Sequence, residues 1–398
     1  MAMTNIPNSA TLGRLGVEVE RCLPDFMDDL EAIVNIESGS YTRTGVDQVV
    51  SWMADRLGAL GATIERHAND ELADTIVATF TRDTPGPTVM LIGHADTVFD
   101  PGYLARRPFE IRDDEILGPG VSDMKSGLLV GLHALEALKA IGSGSGDRWL
   151  PVGRLIYVVN PDEEIGSPVS TPLITELARS ADAAFVMEAA RENGEIVSAR
   201  KGMMHIRATI KGRSAHAGVE PEKGRSATLE AAHKTLALHA LNGRWPGVTV
   251  NVGELRGGTR PNIVADECVI TIDMRARLTV EQDEAEAEIN RILESSTVAD
   301  ITSDIERLAR FRPMEKTKAS AALVETAVAI AAELGFELRD AATGGGSDAN
   351  TTAGEGVPSL DGLGPVGGAD HTPLEYIRKS SIVPRTTLLA ALVASCGA

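Results

Sequence analysis

Cysteine is scarce in this chain of 398 residues, which contains only Cys22, Cys268 and Cys396. Three widely separated thiols, an odd number, exclude a disulfide framework as the basis of the fold and indicate reduced cysteines. Residues 1–7 show no basic stretch followed by an apolar one, which is the pattern of a secretory signal. Both absences predict a cytoplasmic protein.

Basic residues are also in deficit, because 38 Lys and Arg face 57 Asp and Glu, for a formal net charge of −19. This balance argues against a nucleic-acid partner, since phosphate binding needs Lys and Arg. It would also oppose long-range attraction of an anionic substrate, so local arginines would have to supply that attraction. No apolar run reaches membrane-spanning length. The expected partner is therefore a small molecule, with neither nucleic acid nor membrane.

The first 200 residues alternate helical and strand patterns, which predicts an α/β fold with a mostly parallel central sheet. Predicted helices cover 24–36, 46–60 and 126–141, and predicted strands cover 63–66, 75–81, 88–94, 154–160 and 183–187. Glycine and serine at 142–146 predict a flexible loop.

A different order follows residue 200. Strand, helix, strand, strand, helix and strand patterns occupy 202–211, 225–241, 248–255, 264–275, 280–295 and 301–311. This β-α-β-β-α-β order is the ferredoxin-like pattern and makes a compact α+β unit by itself. The α/β alternation then resumes with a helix at 321–334. The sequence therefore predicts a discontinuous domain, 1–200 with 314–398, and an inserted domain, 201–313.

His94 and Asp96 directly follow the apolar run 88–93, and they are expected on the same face at the end of a buried strand. Further acidic or imidazole groups are expected in similar settings at one sheet edge: Asp123, Asp162-Glu163-Glu164, Glu188 and His371. Each alone could be a cap or loop residue. Together they would repel one another without a cation, and imidazole with carboxylates is the ligand set of hydrolytic zinc sites.

Eight segments in chain order resemble the co-catalytic dinuclear zinc peptidase and aminoacylase family (aminoacylase and carboxypeptidase G type), and most of all its glutamate carboxypeptidases. The segments are 93–98 (GHADTV), 118–125 (GPGVSDMK), 162–167 (DEEIGS), 187–188 (ME), 212–218 (GRSAHAG), 257–262 (GGTRPN), 344–349 (GGGSDA) and the surroundings of His371. The resemblance implies a zinc-peptidase-like catalytic domain with an inserted dimerisation, or lid, domain.

The resemblance also implies two Zn²⁺ ions, with Co²⁺ or Mn²⁺ as alternative metals. One zinc would be held by His94, Asp123 and Glu188, and the other by Asp123, Glu164 and His371, so that Asp123 bridges the pair. Asp96 would orient the ring of His94. Glu163 would be the general base that acts on a metal-bridging hydroxide.

Five further roles follow from the resemblance and lie in the inserted domain or the glycine loop. His216 would reach the active site of the partner subunit of a homodimer and stabilise the oxyanion. Asn262 would assist at substrate oxygens, and Arg275 would pair with the substrate carboxylate, with Arg312 as a second candidate. Gly345 would allow close backbone approach to the substrate.

The predicted function is zinc-dependent hydrolysis of an amide bond, which releases a C-terminal amino acid from an N-acyl amino acid or small peptide. An aminopeptidase or dipeptidase of the same fold remains an alternative, and it would recognise a free amine. A non-catalytic binding protein would have no use for a general base beside two metals. A serine hydrolase is disfavoured because the sequence has no Gly-x-Ser-x-Gly motif.

Overall fold

A computed structural model describes residues 6–142 and 149–397 of the chain. Residues 143–146 of the predicted flexible loop lie outside these ranges. The described residues form ten α-helices: α1 (Ser9–Arg21), α2 (Leu23–Val34), α3 (Arg43–Leu60), α4 (Ser126–Ile141), α5 (Ser170–Ala178), α6 (Ala227–His239), α7 (Thr279–Glu294), α8 (Lys318–Glu333), α9 (Asp348–Gly354) and α10 (Ile382–Cys396). None of these helices combines the length and apolarity that a membrane-spanning helix needs.

The same ranges contain sixteen strands. They are β1 (Thr63–His67), β2 (Thr75–Thr81), β3 (Thr88–His94), β4 (Glu110–Arg112), β5 (Glu115–Leu117), β6 (Arg154–Asn160), β7 (Ala183–Val186), β8 (Ile196–Arg200), β9 (Gly202–Lys211), β10 (Thr249–Gly257), β11 (Glu267–Ala276), β12 (Thr302–Phe311), β13 (Asp340–Thr343), β14 (Ser359–Leu360), β15 (Gly367–Gly368) and β16 (Tyr376–Arg378).

The chain divides into two compact units. The first unit comprises residues up to Ala199 with Lys316–Thr343 and from Ser347 onwards, and the second comprises Arg200–Glu315 with Gly344–Gly346. Each unit has its own cluster of buried apolar side chains.

The first unit is built on a six-stranded sheet with the order β1-β2-β6-β3-β7-β14. The pairings of β6 with β3, β3 with β7 and β7 with β14 are parallel, whereas β1 and β2 form an antiparallel margin. Helix α3 packs on β1, β2 and β6 at one end of the order, α4 packs on the central strand β3, and α8 and α9 pack on strands at the other end. The mixed α/β class and the mostly parallel central sheet predicted from the sequence are confirmed.

The parallel register brings three strand ends to one edge. His94 at the end of β3 pairs with Asn160 at the end of β6, and the N–H of Met187 after β7 donates to the carbonyl of Ile92. The segments that follow these strands therefore begin side by side. They carry Asp96, the 162–164 cluster and Glu188.

A second, four-stranded sheet with the order β15-β16-β5-β4 corrects part of the sequence prediction. Asp123 lies in the turn between β5 and α4, and His371 lies in the loop between β15 and β16. Neither follows a strand of the central sheet, so the expectation that all five clusters leave one sheet edge is wrong for these two. The hydrophobic pattern of the sequence cannot reveal the second sheet, because its short antiparallel strands contain too few residues to show a periodicity.

The second unit has the strand order β10-β11-β9-β12, and all of its pairings are antiparallel. With α6 after β9 and α7 after β11, this is the ferredoxin-like order predicted from the sequence. The unit begins and ends side by side, because Arg200 and Met314 exchange two backbone hydrogen bonds of 3.0 and 3.1 Å.

A partly buried ionic cluster joins α2, α3 and α4 in the first unit. The Asp29 carboxylate lies 3.1 Å from Nε2 of His133 and accepts a 2.5 Å hydrogen bond from Arg56. Glu136 completes the cluster, at 2.9 Å from Arg56 and 3.1 Å from Nδ1 of His133. The His133 side chain is only 2% exposed. An imidazole between two carboxylates in this environment is held as the cation.

The pKa of His133 moves in the direction that this geometry requires. Burial alone would lower it, but the hydrogen bonds to Asp29 and Glu136 outweigh burial and raise the pKa above its ordinary value. A raised folded-state pKa stabilises the fold below the unfolded-state pKa of about 6.5, and the stabilisation is lost as the pH rises through the folded-state value.

We expect His133→Gln to lower the free energy of unfolding of the zinc-loaded protein by about 2 kcal/mol at pH 6, because it leaves two partly buried carboxylates with one cation. The difference from wild type should shrink as the pH rises from 6.5, where His133 of the unfolded chain loses its proton, through the raised pKa at which folded His133 does so. Urea unfolding from pH 6 to 9 measures it, with His67→Gln on exposed β1 as the control. A difference that does not change with pH would show that His133 is neutral in the folded protein.

Candidate metal centre

The Asp123 carboxylate stands between two imidazoles. Its Oδ1 lies 3.0 Å from Nε2 of His94, and its Oδ2 lies 3.1 Å from Nε2 of His371. A second carboxylate accompanies each imidazole, since Glu188 lies 3.6 Å from His94 and Glu164 lies 3.2 Å from His371. The structure thus brings together all five residues that the sequence predicts as metal ligands, in two groups that share Asp123.

Asp96 ties the end of β3 to the turn that carries the glutamates. His94 Nδ1 lies 3.0 Å from the backbone oxygen of Asp96 and 3.3 Å from its carboxylate. The same carboxylate accepts the backbone N–H groups of Glu163 and Glu164, at 3.2 and 3.3 Å, and the hydroxyl of Ser40 at 2.7 Å. Asp96 therefore fixes the His94 ring and the glutamate turn with one side chain.

Glu375 fixes the turn that carries Asp123. The Glu375 carboxylate accepts the backbone N–H groups of Gly120, Ser122 and Asp123 at 3.3, 2.9 and 3.1 Å. Gly120 has φ of 73°, which a residue with a side chain rarely adopts, so a glycine suits the start of the turn. Burial raises the pKa of Glu375 to about 8, although the three N–H groups favour its ionised form.

His371 is presented by a strained loop. Ala369 and His371 have φ of 56° and 62°, in the left-handed region that costs non-glycine residues about 1–3 kcal/mol each. His371 is half exposed, whereas His94 is fully buried. The surrounding structure holds the loop in this conformation, which directs the His371 ring toward Asp123 and Glu164.

Acidic groups at this centre resist ionisation because they are buried together. Burial is the largest cause that raises the pKa of Glu163 and of Glu188 well above the ordinary value, and the charge of Asp123 adds to both. The pKa of Glu164 is raised for the same first reason. Carboxylates so placed are destabilised as anions unless a cation lies among them.

The imidazoles supply that positive charge when they are protonated. Hydrogen bonds to Asp123 and Glu164 raise the pKa of His371 to about 11. Burial opposes a charge on His94, but Glu188, Asp123 and Asp96 outweigh it and raise the pKa well above the ordinary value. The hydrogen bonds from both imidazoles outweigh burial at Asp123 and lower its pKa.

The donor set fits divalent cations. Ligand atoms of His94, Glu163 and Glu188 lie within 4.8 Å of one another, as do those of His94, Asp123 and Glu164. Among the described residues, Oε1 of Glu164 is buried and has no hydrogen-bond partner. A buried carboxylate oxygen with no donor is an acceptor that a cation would satisfy. Imidazole nitrogens and carboxylate oxygens without thiolate suit zinc, cobalt or manganese.

The remaining candidates belong to the second unit. His216 and Asn262 lie together, because the 213–219 loop pairs with 262–264 through the N–H of Ala217 to the carbonyl of Asn262, at 3.0 Å. His216 Nδ1 accepts the N–H of Gly218 at 3.1 Å. A neutral ring that accepts at Nδ1 carries its proton on Nε2, so His216 has a hydrogen-bond donor at its exposed side.

Two candidate arginines already have carboxylate partners. Arg275 on β11 contacts Asp273 through Nε and Nη2 at 3.0 and 2.9 Å. Arg312 contacts Asp283 at 2.5 Å. The carbonyl of Gly345 accepts a hydrogen bond from Arg200. A substrate carboxylate at Arg275 would share the guanidinium with Asp273.

Sequence reasoning missed three buried residues that support the centre. Glu375 acts through the backbone of the Asp123 turn and Ser40 acts through Asp96, as described above. Asp348 begins α9 and accepts hydrogen bonds from Asn160 at 2.5 Å and Ser167 at 2.7 Å. The GGGSDA segment of the family resemblance contains Asp348 but was not assigned a helix start, and no sequence signal marked Ser40 or Glu375.

Comparison with known proteins identifies relatives over most of the chain. Peptidase family M20/M25/M40 matches residues 90–395. Carboxypeptidase G2 from Pseudomonas sp. (strain RS-16) is 30% identical over 382 residues, which cover 94% of this chain and 90% of that protein. Aminopeptidase PepT from Bacillus cereus ATCC 10987 superposes with a TM-score of 0.76 and 24% identity, over 94% of this chain and 99% of that one. The M20 family metallo-carboxypeptidase Sso-CP2 from Sulfolobus solfataricus superposes with a TM-score of 0.69 and 15% identity, over 94% and 99%.

We expect Glu375→Gln to weaken zinc binding by about 10- to 100-fold, because an amide nitrogen would face the N–H groups that now position Asp123. Competition against a chelating indicator measures the affinity. Glu115→Gln in β5 is the matched control, since it makes the same substitution in the small four-stranded sheet, one residue of which (Tyr376) follows Glu375, without touching the turn. Wild-type affinity in Glu375→Gln, with an unchanged circular dichroism spectrum, would contradict a positioning role.

Proposed function

Since the chain belongs to peptidase family M20/M25/M40 and is a metallohydrolase, we propose that it cleaves the amide bond of an N-acyl amino acid or small peptide. The product would be the free C-terminal amino acid. The observation that carries the proposal is the position of the half-buried Glu163, whose carboxylate lies within 4.8 Å of ligand atoms of His94 and Glu188 in a cluster that fits a metal. The extensive similarity to carboxypeptidase G2 supports the carboxypeptidase direction.

The proposed ligands are those that the geometry groups around Asp123. His94 and Glu188 would hold one zinc with Asp123, while Glu164 and His371 would hold the other. When bound, the two ions would polarise the substrate carbonyl and acidify water. Ser40, Asp96 and Glu375 would keep the ligands in place through the hydrogen bonds given above.

Glu163 would act as the general base. Its side chain would accept a proton from the attacking water and deliver it to the leaving nitrogen, which departs as an amine when the carbon–nitrogen bond breaks. Burial raises the pKa of Glu163, which makes the carboxylate a better proton acceptor than a solvated one. Glu164, one residue later, contacts His371, so adjacent glutamates would have different tasks.

The second unit would contribute to substrate binding. His216 would donate its Nε2 proton to the oxyanion that forms when water adds to the carbonyl. Asn262 beside it would hold a substrate oxygen, and Arg275, with Arg312 as a second candidate, would bind the terminal carboxylate. The Gly345 loop would pass close to the substrate backbone.

We expect Glu163→Gln to lower kcat by about 10²- to 10⁴-fold with a small change in KM, because the amide cannot accept the proton. Amine release from a panel of N-acyl-L-amino acids and dipeptides, with zinc-loaded and chelator-stripped protein, measures the loss.

Glu176→Gln on the exposed side of α5 is the matched control and should retain wild-type kcat. Zinc content must be equal in all variants. Undiminished turnover by Glu163→Gln would refute the assigned base. Cleavage restricted to substrates with a free amine would replace the carboxypeptidase by an aminopeptidase or dipeptidase.

We also propose a homodimer that forms through the second unit. Its strand β10 is an edge strand with mostly exposed residues, and Leu229 and Leu236 lie two turns apart on α6, 51% and 72% exposed. Apolar side chains beside an open strand edge favour association of two copies. In such a dimer, His216 would serve the active site of the partner subunit.

Mixed dimers test this arrangement. Glu163→Gln and His216→Ala should each be inactive or nearly so, with His216→Ala reduced about 10²- to 10³-fold. In an equimolar mixture after subunit exchange, about a quarter of wild-type activity should return, because half the dimers carry one intact site. Activity assays with light scattering follow both activity and assembly.

No recovery in verified mixed dimers would show that His216 acts within its own chain. The double variant Leu229→Lys/Leu236→Lys should be monomeric. Val17→Lys, at an exposed position of α1, should remain dimeric. A wild-type chain that is monomeric at assay concentration and fully active would refute the dimer proposal.

A further inference from the structure

A small cavity in the first unit gathers arginines that the centre itself does not use. Its volume is about 220 Å³, and its walls include Tyr103, Arg106, Arg107, Arg112 and residues 372–375. We refer to it as the arginine pocket. In a chain of net charge −19, three guanidinium groups around one cavity are a marked local reversal of sign.

Two of these arginines are uncompensated cations. Arg112 forms a two-point ion pair with Glu110, at 2.6 Å for each contact. Arg106 and Arg107 have no ion pair in residues 6–142 and 149–397. The other acidic residue of the lining, Glu375, is already occupied by the backbone N–H groups of the Asp123 turn. Three arginines against two glutamates leave the lining with a net positive charge of one even when Glu375 is ionised, and in the described part of the chain two of the guanidinium groups lack an ion pair that an anion would have to displace.

Tyr103 gives the pocket a rigid wall. Its ring stacks on Phe99 with centroids 4.3 Å apart, and the Arg106 guanidinium lies 5.3 Å from the Tyr103 centroid. This contact restrains a side chain that would otherwise be free in solvent, so less freedom is lost when it binds a ligand.

The pocket adjoins the proposed metal ligands through the chain itself. Thr372 is the next residue after His371, and Gly118 and Pro119 belong to the segment that leads to Asp123. A volume of 220 Å³ is below the range of about 300–1,000 Å³ typical of whole-ligand sites. The cavity is thus the size of a subsite for one part of a substrate.

We propose that the arginine pocket binds a second carboxylate of the substrate, in addition to the α-carboxylate, through Arg106 and Arg107. The preferred substrates would then be dianionic N-acyl amino acids. This inference rests on the proposed function. It also provides the local attraction that an anionic substrate needs against the overall negative charge. Guanidinium groups suit a planar carboxylate better than ammonium groups would.

Matched substrate pairs test the assignment and locate the second carboxylate. A higher kcat/KM for N-succinyl-leucine than for N-acetyl-leucine would place the second carboxylate on the acyl group. A higher kcat/KM for N-acetyl-glutamate than for N-acetyl-glutamine would place it on the released amino acid. In the double variant Arg106→Gln/Arg107→Gln, kcat/KM for the dianionic member of one pair should fall about 10- to 100-fold. Its monoanionic counterpart should change less than twofold.

Arg14→Gln on α1 is the control, since it removes an exposed positive charge away from the pocket. It should leave the ratio within each pair unchanged. Equal losses for dianionic and monoanionic substrates would show that Arg106 and Arg107 only support the local structure. No loss in either pair would refute the subsite.

A calorimetric titration of the zinc-loaded protein with glutarate separates this inference from the proposed function. Wild type and Arg14→Gln should bind glutarate, and the double variant should bind it at least 10-fold more weakly. If no substrate is cleaved, the proposed function fails, but glutarate binding still shows whether the arginine pocket binds a carboxylate. Equal glutarate binding by wild type and the double variant would overturn the pocket, as would inorganic phosphate binding as tightly as glutarate.

Discussion

One shared carboxylate between two imidazoles is the constraint on which the first unit depends. Asp123 contacts His94 on one side and His371 on the other, and these three residues lie on three different parts of the chain. Because Glu163, Glu164 and Glu188 are buried around them, a small displacement would leave anions unbalanced in a poorly solvated space. The hydrogen bonds of Asp96 and Glu375 restrain the surrounding backbone and so oppose such a displacement.

Much of the fold follows from the sequence, because buried parallel strands and the ferredoxin-like unit have strong patterns. The predicted strands 75–81, 154–160 and 202–211 and the helix 126–141 coincide with the observed elements. The helices α1 and α10 were not predicted. In α1, Leu12, Leu15 and Val19 do follow a helical period, but the alternation Val17-Glu18-Val19-Glu20 overlaps it and imitates a strand. In α10, burial around most of the circumference removes the helical period altogether.

The candidate site also contains residues that the sequence predicts and residues that it does not. Ligands that follow strands of the central sheet can be predicted, since the register of parallel strands brings their ends together. Glu375 cannot, because its carboxylate binds backbone N–H groups some 250 positions earlier, and backbone groups carry no sequence signature. Nor does the sequence reveal that Arg312 contacts Asp283, since that partner depends on tertiary structure. The contact of Arg275 with Asp273 is different, because residues two apart on one strand share a face and the pair was open to prediction.

The adjacent ends of the second unit have a consequence for how such a chain can change. Arg200 and Met314 face each other as a bridged pair, so the path of the chain leaves and returns within about 5 Å. A link of a few residues could span that distance. The chain connectivity of the first unit therefore places no lower limit on the length of the insertion, and a gene that loses or exchanges the whole segment would not have to reroute the strands that carry the ligands.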